Sequence, residues 1–324
     1  MRMVLKSLTS IAVCLTAACV STPARPEMPE SGVTLPATVR VQVRDGASNI
    51  VLAVPIEEYV AATILSEVDP PEGDDRVMER MYEVQAIISR TYAIGHRGRH
   101  ARDGFDLCST THCQLYQPAR LRSSKWTTIV REAARQTAGQ VLLFGGVPAL
   151  AVYHADCGGH TSSAREVWGG EVLSYLAGVR DGGASISHVT WSFESRAAAL
   201  RDALNADQRT SVGRRLDDID IAERDAAGRA DRITLQGTRT ATVRGEVFRE
   251  VIGRAFGAKS IRSTLFTVTR SRDAFVFNGR GFGHGVGLCQ AGALARLQSG
   301  STPRKVLAFY FPGTRLASGT HAAP

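Results

Sequence analysis

Between Val54 and Val68 the chain reads Val-Pro-Ile-Glu-Glu-Tyr-Val-Ala-Ala-Thr-Ile-Leu-Ser-Glu-Val. Apolar side chains return at Tyr59, Val60, Ile64 and Val68, the three-to-four spacing of a helix with one buried stripe. Pro55 stands where a first turn tolerates proline, so a helix is expected to enter there. It should end at Glu67, because Asp69-Pro70-Pro71-Glu72-Gly73 forces a turn directly afterwards. A carboxylate at that end either faces solvent, as most do, or overlooks a groove. Upstream, residues 39–43 and 50–54 alternate with period two around Asp45-Gly46, a hairpin leading into the helix. Downstream, Met81, Val84, Ile88 and Tyr92 keep helical spacing in a second helix expected over 77–94. Gln85 and Arg90 are polar residues on that largely apolar element, and such a pair either faces water or reaches into a groove suited to sugar hydroxyls or a carboxylate.

Further along, residues 126–137 read as an amphipathic helix with Gly139 as a left-handed cap. Residues 141–144 and 148–153 form a strand pair around Gly145-Gly146, a two-residue hairpin signal. Weaker patterns predict helices near 197–205 and 246–256 and a strand near 232–236. A hairpin of 266–269 with 274–277 and a helix over 290–298 follow. Mixed helices and antiparallel hairpins of this kind make an α+β fold. The expectation is one catalytic unit with a groove, spanning 34–316, with an embedded lobe at about 186–265 and a short tail at 317–324.

Composition narrows the function classes. With 44% hydrophobic and 22% charged residues in a chain of 324, disorder is excluded as the default. A net charge of +8 points to an anionic partner: nucleic acid, a membrane surface or an acidic envelope polymer. No basic block of five or more residues and no aromatic-interleaved basic repeat occurs, so nucleic acid is not expected. Residues 1–18 combine two cations with a short apolar run, the pattern of an export signal. It ends at Ala17-Ala18-Cys19, which offers either lipoprotein processing with acylation of Cys19 or plain cleavage nearby. Residues 19–33, rich in proline and small side chains, would be an extended tether.

Three stretches carry chemistry. The first holds His100, Cys108, His112 and Cys113, four nitrogen and sulfur donors within one loop, the number a closed tetrahedral zinc site needs. A Cys108–Cys113 disulfide is the alternative there. The second, His154-Ala155-Asp156-Cys157-Gly158-Gly159-His160-Thr161, follows a strand; its glycines would let backbone amides approach a ligand. It could form a second metal site from His154, Cys157 and His160, or shape a substrate pocket, which is the favoured reading. The third is a loop with glycine at 279, 281, 283, 285 and 287, carrying His284 and followed by Gln290. It lacks the lysine and hydroxyl of a phosphate loop, so nucleotide binding is rejected.

The ordered set Val54-Pro55-x-Glu57-Glu58-Tyr59 with Ser66-Glu67, Gln85-Ala86 with Arg90-Thr91-Tyr92-Ala93, Cys108 with Cys113-Gln114, Tyr153-His154 with Cys157-Gly158-Gly159-His160-Thr161, Val167-Trp168-Gly169, and Gly283-His284-Gly285-Val286-Gly287-Leu288 with Gln290 closely resembles the stage II sporulation protein D family. That family also includes the amidase-enhancer proteins. The resemblance covers roughly residues 35–316. It implies a peptidoglycan lytic transglycosylase acting on glycan strands stripped of their peptides, with Glu67 at the catalytic glutamate and His100, Cys108, His112 and Cys113 at the zinc positions. Cys289 stands where a serine is often seen before the glutamine. On this reading Glu67 is both acid and base, its pKa raised by partial burial against the 84–92 helix, with Asp69 and Glu72 near enough in sequence to help. Gln85, Arg90, Tyr92, His154, the Gly158-Gly159 backbone, Thr161, His284 and Gln290 are the expected sugar contacts, and the zinc is structural. Two other readings stand beside it: a non-catalytic module that binds peptide-free glycan and stimulates an N-acetylmuramoyl-L-alanine amidase, and a metal- or thiol-dependent hydrolase using His154, Cys157 and His160.

Overall fold

The computed structural model describes residues 33–46, 48–68, 74–182 and 188–321. The leader, Cys19, Asp69 and Glu72 lie outside the described residues. The fold is α+β, with several small sheets packed among helices rather than one large sheet.

The opening hairpin pairs Thr38–Asp45 with Ser48–Pro55 in the register Val39↔Val54, Val41↔Leu52 and Val43↔Ile50. Alternation then aims Val39, Val41 and Val54 into the core. Pro55 is the N-cap of the helix Ile56–Glu67, and Glu57 and Glu58 in the first turn complement its dipole. This helix differs from the single-stripe expectation, for every residue from Tyr59 to Ser66 is buried. The reason is in the composition: no charge occurs between Glu58 and Glu67, so the neighbouring elements can enclose the helix on all sides. It packs on Asp75–Gly95, whose N-terminus is capped by the Asp74 carboxylate accepting from the Arg76 amide at 2.8 Å, and on Thr127–Gln136.

The hairpin Gln140–Phe144/Val147–Pro148 turns at Gly145 and Gly146, both at positive φ (61° and 87°), as a two-residue primed turn requires. It is shorter than expected, because after Pro148 the chain leaves the sheet and Tyr153–His154 pairs instead, in parallel, with Leu288–Cys289. That crossover brings stretches 130 residues apart into backbone contact. A Cβ on Gly283 would lie 2.7 Å from the His154 Cβ, and one on Gly287 would lie 2.2 Å from the Val152 carbonyl oxygen, so only glycine admits the approach.

Among the described residues two large hydrophobic cores result, beside a small cluster of Leu35, Val141 and Leu143. One gathers the opening hairpin and the helices Ile56–Glu67, Asp75–Gly95, Thr127–Gln136, Gln290–Gln298 and Pro303–Tyr310. The other belongs to the lobe and runs from Trp191 to Phe277. The expected lobe boundary at about 265 is therefore too early, since the hairpin Phe266–Ser271/Ala274–Arg280 pairs with Thr190–Arg196 and contributes Phe266, Phe275 and Phe277 to the lobe core. The strand Leu216–Arg224 was hidden in the sequence by its run of charges and is held by pairing with Ala230–Gly237.

Candidate active site

Glu67 ends its helix on the wall of a cleft of about 620 Å³. The Leu115 amide donates to its Oε1 at 2.6 Å, and the Tyr153 hydroxyl is a second hydrogen-bond partner. Behind Tyr153 the chain of bonds continues: Gln114 Nε2 donates to the Tyr153 hydroxyl at 3.1 Å, and the Tyr59 hydroxyl donates to Gln114 Oε1 at 3.1 Å. Burial raises the Glu67 pKa above the usual carboxylate range, and the bonds from Leu115 and Tyr153 oppose the shift without cancelling it. Glu67 is the only carboxylate among the described residues that line the cleft.

Tyr92, Trp168 and His284 contribute aromatic surface to the cleft, and Arg99 and Arg249 contribute cations. Tyr92 stacks on His96 with centroids 3.9 Å apart and accepts from Arg99 Nη1 at 3.4 Å. Arg249 comes from the lobe helix Gly245–Phe256, so the lobe forms part of the wall. A more open groove of about 760 Å³ lies on the lobe beside Trp191 and Arg280, but its lining holds no carboxylate, histidine or cysteine.

Several expected sugar contacts are elsewhere. Arg90 is fully buried and paired with Glu57 through Nε–Oε1 at 2.9 Å and through Nη2 with Oε2, with the carbonyls of Ala134 and Gln140 each at 3.2 Å. Its charge is consumed in the core. Gln85 is also fully buried; its Oε1 accepts from Gln290 Nε2 at 3.1 Å, and the same Nε2 reaches the Glu67 carbonyl at 3.3 Å. These two glutamines therefore brace the end of the Glu67 helix from beneath instead of lining the cleft. The Gly158 and Gly159 amides are turned inward, onto Asp156 Oδ1 at 2.9 Å and Cys157 Sγ at 3.3 Å, and are not offered to a ligand. Thr161 is buried against Val179, its hydroxyl accepting from the Val179 amide at 2.8 Å. His284 lines the cleft only with its ring: Nε2 donates to the Tyr153 carbonyl at 2.9 Å and Nδ1 accepts from the Val286 amide at 3.0 Å. Burial pushes its pKa down to about 4, so the ring is neutral at pH 7. His154 borders the cleft but is 4% exposed. The sequence reading missed Tyr153, Arg99 and Arg249 as cleft residues; Tyr153 was legible as an aromatic closing a strand, whereas no local pattern marks the other two.

The strand Leu107–Cys108 pairs in parallel with Thr38–Asp45 and so carries Cys108 to the cleft's edge. His100, Cys108, His112 and Cys113 there offer four donor atoms all within 4.8 Å of one another. Cys108 Sγ lies 3.6 Å from His112 Nδ1, and Cys113 Sγ lies 3.4 Å from His100 Nε2 and 3.8 Å from His112 Nδ1. Zn–S bonds of about 2.3 Å and Zn–N bonds of about 2.0–2.1 Å place tetrahedral ligands roughly 3.5 Å apart, so these residues fit such an ion. Both cysteines are free thiols. His160 does not join His154 and Cys157 in the metal site that was the less favoured reading of this stretch: its Nδ1 turns to the Thr161 carbonyl at 2.7 Å.

Residues 44–144 match the family model described as stage II sporulation protein, and residues 185–287 match a domain of unknown function, DUF8618. An uncharacterised protein of Brachyspira hyodysenteriae is 28% identical over 264 residues, covering 80% of this chain and 65% of that protein. The amidase enhancer of Bacillus subtilis is 24% identical over 283 residues, covering 73% of this chain and 38% of the enhancer. Stage II sporulation protein D of the same organism is 24% identical over 292 residues, covering 86% of this chain and 79% of that protein. The chain thus spans less than two thirds of the first two of these relatives.

Proposed function

From a chain that belongs to the family of stage II sporulation protein D and the amidase enhancers, we propose a peptidoglycan lytic transglycosylase that cleaves MurNAc–GlcNAc bonds in peptide-stripped strands. The observation that carries this reading is the setting of Glu67, a carboxyl group whose pKa is raised by burial and which is alone among the described carboxylates at the cleft. Ordinary glycosidases place two carboxyl groups across the bond, whereas lytic cleavage needs one group that acts first as acid and then as base. The Leu115 amide occupies Oε1 in either state, so Oε2 is the oxygen that carries the proton. Oε2 donates that proton to the glycosidic oxygen as the muramic C1–O bond breaks. The resulting carboxylate takes the proton of the C6 hydroxyl as its oxygen closes on C1, giving the 1,6-anhydro product and restoring the acid. Tyr153 and Gln114 hold the carboxylate in position, and Trp168 and Tyr92 present faces on which sugar rings pack.

The zinc of this reading sits on His100, Cys108, His112 and Cys113, where it braces the loop that supplies the Leu115 amide; four protein ligands leave no open position for chemistry. On this reading the protein works in the cell envelope, which the leader-like pattern of residues 1–18 supports, with either acylation of Cys19 or plain cleavage nearby. An amidase is the natural partner, because it generates peptide-free strands. Incubation of the protein with amidase-treated and intact peptidoglycan, with mass spectrometry of released sugars beside Glu67→Gln, tests the reading. Anhydromuramic products from the peptide-free substrate alone, lost in the variant, are expected. The name of the amidase-enhancer relative favours a second reading, in which the cleft only binds the strand. On that reading no sugar is released, and Glu67→Gln still stimulates an amidase.

A further inference from the structure

We propose that His154, Cys157 and Cys289 form a second metal site, for a zinc-class divalent ion, at the crossover that joins the two cores. The three residues each offer a donor atom, and these atoms lie within 4.8 Å of one another. All three are buried, with exposures of 4%, 0% and 0%. They converge because Tyr153–His154 and Leu288–Cys289 are paired in parallel, in the register Cys289↔His154, while Cys157 follows one turn later. None belongs to the His100 cluster.

The histidine carries the main observation. His154 Nδ1 lies 3.1 Å from the Val286 carbonyl oxygen, so Nδ1 bears the proton and donates. Nε2 is then a bare lone pair, and it is buried with no hydrogen-bond partner among the described residues. An orphaned buried acceptor of this kind is destabilising. A metal removes that cost, and a backbone carbonyl on the other ring nitrogen is the usual orientation of a ligating histidine.

Backbone donors surround the sulfurs. Three backbone amides aim at them: Cys157 N at Cys289 Sγ (3.2 Å), Gly292 N at Cys289 Sγ (3.4 Å) and Gly159 N at Cys157 Sγ (3.3 Å). Amide donors of this sort stabilise thiolate more than thiol. On binding, both thiols release their protons to solvent and the two thiolates neutralise the ion. Asp181 stands beside Cys157, 3.6 Å from its sulfur, already accepting from the Tyr310 hydroxyl at 2.5 Å and Arg296 Nη2 at 2.9 Å. The neighbouring set Asp156, Cys157 and His188 is not a competitor, because Asp156 is used up by the Gly158 amide, the Val189 amide and His188 Nδ1. Soft thiolates with imidazole select zinc-like ions over calcium or magnesium.

The site has a structural purpose in this fold. Cys157 precedes the lobe and Cys289 follows it, and the helix beginning at Gln290 supplies the glutamine that bonds the Glu67 carbonyl. An ion here locks the two crossings between cores and, through them, the floor of the cleft.

The test is metal stoichiometry of the full chain by plasma mass spectrometry, after purification under reducing conditions with zinc. Cys108→Ser/Cys113→Ser is expected to retain one zinc, and adding Cys289→Ser is expected to remove it. Cobalt reconstitution should leave a thiolate charge-transfer band in the first variant and none in the second. Cys289→Ser preserves size and a cap acceptor; should it not fold, the retained zinc and cobalt band of the first variant decide alone. A first variant with no metal would overturn the proposal. So would a parent chain isolated in air that is two hydrogens lighter, with Cys157 and Cys289 peptides joined, and that takes up no zinc at this site after reduction.

Discussion

Replacing Glu57 by glutamine isolates the role of Arg90. Its guanidinium is fully buried, and Glu57 is its one anionic partner among the described residues. The substitution keeps size and an acceptor oxygen for Arg90 Nε and the Gly139 amide, now 2.9 Å and 3.3 Å from Glu57 Oε1, but removes the counter-charge. Leaving a buried charge unpaired costs about 3–5 kcal/mol. Two features place Glu57→Gln at the low end: the Ala134 and Gln140 carbonyls at 3.2 Å still receive the guanidinium, and the Glu57 side chain is 30% exposed. A loss of about 3 kcal/mol, at roughly 1.5 °C per kcal/mol for a chain of this size, lowers the melting temperature by about 4–5 °C. Circular-dichroism melts read this directly, and co-sedimentation with peptide-free glycan below both transitions reads binding. An unchanged melt combined with lost glycan binding would refute the reasoning and return Arg90 to the substrate.

The pH dependence of Glu67 has a definite sign. Its folded pKa is raised, so the native state holds the proton more tightly than the unfolded chain, and ionisation costs stability above the folded value. Glu67→Gln should therefore melt higher than the parent at neutral pH, with the gain shrinking as pH falls through the ordinary carboxylate range; a gain that grows on acidification would contradict the shift. Tyr153→Phe removes a bond that lowers the Glu67 pKa, so the alkaline limb of the activity profile, where the acid is lost, should move to higher pH, with a loss of about 1.5–3 kcal/mol in kcat/KM. An unmoved profile would exclude Tyr153 from positioning the carboxylate. Chelation of the His100 cluster should lower the melting temperature and expose Cys108 and Cys113 to alkylation; a mass two hydrogens light with those peptides joined would show a disulfide there instead. Phe248→Ala, in the lobe core, should cost about 3–5 kcal/mol and loosen the wall that carries Arg249, measured as lost glycan affinity.

Local pattern determined the elements. The hairpin at 38–55, the end of the Glu67 helix, the helices Asp75–Gly95 and Gln290–Gln298, and the loop holding His100, Cys108, His112 and Cys113 were legible because periodicity, proline, glycine and ligand spacing act within a few residues. Which side of an element a polar residue serves was not legible. Arg90 and Gln85 look on paper like groove residues, but residues 84–93 of their helix are all buried, so its polar groups turn to Glu57 and Gln290. The same holds for the glycines at 158 and 159, whose amides are spent on Asp156 and Cys157, and for Cys289, whose neighbours His154 and Cys157 are over 130 residues away in the chain. Only tertiary structure decides these, because burial forces each polar group to find whichever partner the packing brings within hydrogen-bond reach.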